Sequence, residues 1–251
     1  QQLSPDSIPD PGADELWDWF PVLALSPYQK WLRYKRGTEA GWEMMGDFAC
    51  WTMLTRLRTN RQLLEVMLDF WSDALHVPSP VDDAWVYRVE YQDLLRKHAL
   101  GSFTEMLQEA IPHPAMGIYL NNVESTATGI NENLGRELLE CHTVGLSAGY
   151  TQAMVVDSAR ILTGYKVDKH HAYKPSYDPS AHWTGRVNVL DFHAANADPD
   201  GRDLVQKYLA YLAKHESTAA RLGRRLAVRF VSDDPSPELV ASLATVYLDN
   251  D

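Results

Sequence analysis

The chain has 251 residues, 45% of them hydrophobic and 23% charged, a balance that suits a globular protein with a sizeable core. No run of about eighteen apolar residues occurs, which excludes a membrane-spanning helix. The net charge of −11 is concentrated at the ends, with five acids and no base in residues 1–20 and again in residues 230–251, so the body is near neutral and offers nucleic acid no basic stripe.

The first 20 residues, rich in Pro and Asp, read as an acidic extended tail. No signal-peptide pattern is present, and the start at Gln1 reads as trimmed. Residues 21–251 then read as a single, mostly helical domain. The basic run Lys30 to Arg36 suggests a solvated helix face. A helix is expected over 39–58, with Trp42, Met45, Phe48, Ala49 and Thr52 on its apolar side. Another spans 61–75, and VPSP at 77–80 stops it. Helices follow from Asp83 to His98, and in FTEMLQEAI before Pro112. HPAMGIYLNN (113–122) has Pro at a first-turn position, where its missing N–H costs nothing. Thr151 is the expected N-cap of a helix that Gly164 ends. Residues 164–199 lose helical period and hold four of the nine histidines. Within them RVNVLDF (186–192) alternates like one short strand, so the loop has room for a strand pair. Three helices close the chain near 201–214, 216–228 and 237–248, the last capped by Ser236. The expected class is therefore all-α, an irregular multi-helix domain with one long loop. Cys50 and Cys141 lie in apolar helical contexts and read as buried free thiols by default, with one disulfide left open if the two positions meet in space.

The densest chemistry is NENLGRELLECHTVG at 131–145. On an α-helix Glu132, Asn133, Arg136, Glu137 and Glu140 share a face roughly 140° wide. Arg136 is four residues from both Glu132 and Glu140 and can bridge them. His142 falls on nearly the opposite side, so Glu137, Glu140 and His142 chelate a metal only if the helix ends early.

These residues resemble the NEN-x-x-RELLELHT-x-G signature of the DUF1800 family. DFW (69–71), RKHALGSF (96–103), GYTQAMVVDSARILTGY (149–165), HWTG (182–185) and RRLAVRFVSDDP (224–235) resemble further family blocks in family order. The resemblance covers about residues 60–248 and is strongest to actinobacterial members. It implies a largely helical bacterial protein, often exported, with no established reaction. The family's Asn-His pair after DFW is replaced here by Asp73-Ala74, which shifts any role there to His76. Asn188 and Asp191 stand where a family lysine and glycine are expected.

Two functions compete. One is an enzyme, metal-dependent or not, built from helix 131–144, the 113–122 helix and the 164–199 loop. Glu132, Arg136, Glu137, Glu140, His142 and His113 would be catalytic, with Arg96, Arg160, His182 and His76 in binding roles. Its cofactor would be a divalent metal such as Zn, Mn or Fe, with Glu137, Glu140 and His142 as candidate ligands. The other is a non-catalytic binding or scaffold protein whose partner is a small molecule or a protein.

Overall fold

The computed structural model describes residues 1–79 and 83–250. Pro80, the last residue of the expected stop signal, lies outside them. Helices dominate in chain order: α1 (Pro11–Asp14), α2 (Leu16–Trp19), α3 (Pro27–Lys35), α4 (Gly41–Arg58), α5 (Gln62–Ala74), α6 (Arg88–His98), α7 (Phe103–Ala110), α8 (Pro114–Tyr119), α9 (Asn133–Glu137) and α10 (Gln152–Ile161). Two strand pairs follow, β1 (Tyr165–Asp168) with β2 (Lys174–Tyr177) and β3 (Val187–Val189) with β4 (Phe192–Ala194). The chain closes with α11 (Arg202–Ala213), α12 (Glu216–Phe230) and α13 (Pro237–Asn250). The class is thus mostly helical, and all-α overstates it by two short strand pairs. No helix among the described residues is long and apolar enough to cross a membrane.

The chain divides into two compact units. The first comprises Gln1–Gly101, His113–Tyr119 and Val167–Ser176. Its core is aromatic: Phe48, Trp51, Trp71, Trp85, Tyr87 and Tyr91 are all buried. Buried Trp and Tyr need polar partners, and the Trp71 indole N–H donates to Ala99 O (2.9 Å) while Tyr91 OH donates to Leu75 O (2.8 Å). Local sequence starts the helices. In α3 the Ser26 hydroxyl accepts from Gln29 N–H and the Gln29 side chain accepts from Ser26 N–H (3.0 Å), a closed capping box. The buried face of α4 is turned from the expected one. Met44, Met45, Phe48, Trp51 and Thr55 face the core, whereas Trp42 is 71% exposed and Ala49 and Cys50 are exposed too. The N-terminal 20 residues are folded rather than extended. They form the turns α1 and α2, Asp10 is buried and accepts from Asn60 N–H (2.8 Å), and Trp17 packs on Trp51 with ring centroids 4.7 Å apart.

The second unit comprises Ser102–Pro112, Leu120–Lys166 and Tyr177–Asp251. Here α9 lies directly on α10. A Cβ on Gly135 would sit 2.5 Å from Ala159 N, so only glycine permits the approach. Ser158 on α10 donates to Gly135 O (3.1 Å) and accepts from Tyr208 OH on α11 (2.8 Å), which ties three helices through one buried hydroxyl. β3 and β4 are antiparallel, pairing Val187 with Ala194 and Val189 with Phe192; both valines are buried and Asn188 between them is exposed. The Thr151 and Ser236 caps form as expected, accepting from Met154 N–H and Leu239 N–H. Both cysteines are free and exposed, against the expectation of buried thiols.

Gly135→Ala should lower unfolding stability by about 1–3 kcal/mol, because its methyl meets backbone that cannot move aside. Gly46→Ala, in the interior of α4 with nothing within 4 Å of the new methyl, should raise stability by roughly 0.5–1 kcal/mol. Urea unfolding of the two variants against the parent chain checks both signs.

Candidate functional site

The NEN stretch builds a polar face in the second unit. Asn131 Oδ1 accepts from Asn133 N–H (3.0 Å) and starts the helix. Arg136 donates to Glu132 Oε2 (2.9 Å) and Gln152 Oε1 (3.0 Å), and Gln152 donates back to the same Glu132 oxygen (2.6 Å). The three side chains close a triangle on a half-exposed surface. Arg136 therefore pairs with Glu132 as its spacing predicts.

Past Glu137 the helix changes form. Leu138–His142 is a π-helical turn, with wider hydrogen-bonded rings than an α-helix. Thr143 Oγ1 donates to Leu138 O (2.6 Å) and Gly145 N–H to Leu139 O (2.8 Å), which closes the end. Leu138, Leu139 and His142 are buried, Glu137 and Glu140 are half-buried, and Cys141 is exposed. His142 thus differs in burial from the carboxylates of Glu137 and Glu140. Among the described residues no group of three or more His, Cys, Asp or Glu could hold a metal ion, so Glu137, Glu140 and His142 do not make a ligand set.

What gathers instead is a mixed polar surface. Arg221 of α12 donates to Glu140 O and to Thr143 O (3.3 Å), and lies against Gly145, whose φ of +75° suits glycine. Burial first, then a hydrogen bond and charge from Glu137, push the Cys141 thiol up to about 11, so it is no thiolate nucleophile at neutral pH. Burial and the Glu140 charge likewise raise Tyr150.

The remaining predicted residues of this unit hold structure. Arg160 pairs with Asp157 (2.9 Å) and stacks over the Trp183 ring at 4.4 Å. Asp157 also accepts from Asn188 N–H (2.9 Å), fixing the start of the β3–β4 pair. His182 is buried with both ring nitrogens engaged, Nδ1 with Thr163 O (3.0 Å) and Nε2 with Asn196 Oδ1 (2.9 Å). Gly201 lies on its ring, where a Cβ would come within 2.3 Å. His182 clamps the long loop and has no nitrogen left for chemistry.

Three predicted residues belong to the first unit. Arg96 is bidentate on Glu65, whose side chain is 5% exposed, and lies 5.6 Å from the Trp51 ring centre, so it joins α6 to α5. His76 is exposed, edge-on to Tyr119 at 6.5 Å. Nearby Asp73 is exposed and Ala74 is core, so the departure from the family pair leaves no polar group inside α5 at that point. His113 caps α8: its Nδ1 accepts from Ala115 N–H (3.2 Å), and its ring meets Tyr87 and Tyr91 at 6.0 and 5.2 Å. Burial pushes its imidazole down to about 4.

Lys30, expected on a solvated face, is fully buried, and its ammonium nitrogen has no hydrogen-bond partner. Nothing in the run KWLRYKR separates it from Arg33, Lys35 and Arg36, which are exposed.

A family model described as "Protein of unknown function (DUF1800)" matches residues 1–251. No curated protein and no solved structure matches the chain.

His113 gives a signed pH prediction. Its folded value, about 4, lies below the ordinary 6.5, so between those limits the unfolded chain binds the extra proton. Stability should be complete above pH ~6.5 and fall towards pH ~4, with a slope of at most about 1.4 kcal/mol per pH unit from this group. His113→Asn keeps a capping acceptor and removes the titration. Urea unfolding from pH 7 to 4.5 should show a smaller acid loss in the variant than in the parent chain.

Proposed function

The chain belongs to the DUF1800 family, and we propose that it works as a protein-binding module through the polar face of α9. The observation that carries this reading is the Glu132–Arg136–Gln152 triangle, held in one geometry yet half-exposed. Ordering polar side chains at a surface contributes little stability, about 0–1 kcal/mol for such a pair. Their preorganisation serves recognition better than folding. Around them stand Glu137, Glu140, Tyr150 and Arg221, and Leu146, which follows the Arg221 contact at Gly145, is 73% exposed. Arg, Tyr and an exposed apolar anchor inside a polar rim are the usual ingredients of a protein interface. Three glutamates and two arginines leave a mixed field that matches another mixed surface better than a simple ion.

A metal-dependent enzyme on the same residues has weaker support. No group of three or more His, Cys, Asp or Glu that could hold a metal occurs among the described residues, and His142 is buried while Glu137 and Glu140 are only half-buried. His182 spends both ring nitrogens on the loop clamp, and His113 spends its Nδ1 on the α8 cap. The π-helical turn, a form frequent at functional sites, serves either reading, since it redirects side chains whatever they then touch.

A photocrosslinking side chain at Leu146 tests the binding reading in an extract of the source cells. The expected result is one saturable protein adduct, lost with Arg136→Glu and absent when the probe sits at Lys207. Equal adducts from both positions would sink it. Metal content of tag-free protein tests the rival. Less than about a tenth of an equivalent is expected, and a near-stoichiometric metal lost with Glu137→Gln would restore the enzyme.

A further inference from the structure

The first unit holds a cavity of about 590 Å³ lined by Trp17, Leu23, Leu25, Lys30, Glu90 and Asp93. Lys30 enters it from α3, which the Ser26–Gln29 capping box fixes, and the two acids stand one helical turn apart on α6. The lysine is fully buried, its Nζ has no hydrogen-bond partner, and Glu90 and Asp93 act on it only through space. Both acids are exposed, so they lie at the solvent side of the lining. A buried, unpaired ammonium is costly, so such a place enlarges the share of neutral amine.

We propose that Lys30 is an imine-forming lysine that captures an uncharged aldehyde or ketone in this cavity, with Glu90 and Asp93 moving the protons. The ligand class follows from the lining. Two carboxyls oppose an anionic ligand, and a lysine opposes a cation. Trp17, Leu23 and Leu25 offer apolar wall for the carbon skeleton. A free amine beside carboxyl groups is a carbonyl-trapping pair.

The chemistry balances without an oxidant. The Nζ lone pair adds to the carbonyl carbon, a C–N bond forms, and the C=O π electrons move to oxygen. That oxygen takes a proton from one carboxylic acid, and the nitrogen returns one to the carboxylate. The re-formed carboxylic acid protonates the resulting hydroxyl, which leaves as water while the nitrogen lone pair closes the C=N bond, and the iminium N–H gives its proton back to that carboxylate. Amine and carbonyl become imine and water. The electrostatics favour this division of labour. Burial lowers the Lys30 amine to about 8, while partial desolvation against the cavity wall raises the carboxyls of Glu90 and Asp93 even though each side chain reaches solvent.

The inference rests on the first unit alone and stands whether or not the α9 face binds a protein. Its test is reductive trapping on the whole chain. The protein is incubated with propanal or benzaldehyde and sodium cyanoborohydride at neutral pH, then mapped by peptide mass spectrometry. Lys30 should be alkylated at least about tenfold faster than Lys35 on the same helix and than Lys214, because more of it is neutral amine. Glyoxylate, which carries a carboxylate, should label Lys30 more slowly than propanal. Glu90→Gln with Asp93→Asn should slow Lys30 labelling and leave Lys35 and Lys214 unchanged. Lys30→Arg should remove the fast adduct, and if that variant fails to fold, the parent peptide map still decides. Labelling of Lys30 no faster than Lys35 in the folded protein would overturn the proposal.

Discussion

The α9–α10–α11 junction of the second unit is arranged around the absence of a side chain at Gly135. Because no Cβ stands there, α9 settles onto the backbone of α10 at Ala159. Ser158 then reaches Gly135 O, and Tyr208 reaches Ser158. The contact fixes the roll of α9 as well as its position. With Gly135 and Leu134 turned inward, Arg136 and Glu137 are only part-buried, and Arg136 meets Gln152 of α10. The polar face is a consequence of where the helix has its one missing methyl.

The π-helical turn after Glu137 completes that geometry. An α-helix advances about 100° per residue, and a π-turn advances less, so positions past Leu138 drift from any wheel drawn on α geometry. His142 nevertheless ends buried, since the apolar Leu138 and Leu139 hold the turn to the core. The result is separation of types: carboxylates and guanidinium on the wet side, imidazole on the dry side. That separation is what moves the functional reading from metal chemistry towards recognition.

Local chemistry was legible in the sequence, and side-chain destination was less so. The Thr151 and Ser236 caps and the Glu132–Arg136 pair depend on residues close in sequence, and each took its expected form, whereas RVNVLDF, expected as one short strand, divides into β3, a turn with Leu190 at φ +52°, and the start of β4. The buried face of α4 was missed because Trp42 and Trp51 are equally apolar, and only Trp17 and Phe48 packing on Trp51 decides between them. Strands of three or four residues, such as Phe192–Ala194, carry too little alternation to register. Thr163, Asn196 and Gly201 all bear on His182 from afar in sequence, so its clamping role could not be read locally.

Lys30 shows the same limit with a sharper consequence, because the first unit plainly has means of pairing buried cations. Arg96 takes both oxygens of buried Glu65. Arg88, which unlike Arg96 is buried, donates to Gln92 Oε1 (3.0 Å) and lies over Phe48 at 4.9 Å. Both are guanidiniums, which cannot shed their charge and so must be met by acceptors or ring faces. A lysine has a further way out, since it can release its proton. The fold supplies partners to each of these arginines and withholds them from Lys30, which can become a neutral amine. A structural lysine would gain from a carboxylate at hydrogen-bond distance, whereas a nucleophilic one would lose by it, because a close anion holds the proton on. With Glu90 and Asp93 on the cavity lining but outside pairing distance, the arrangement matches the second requirement.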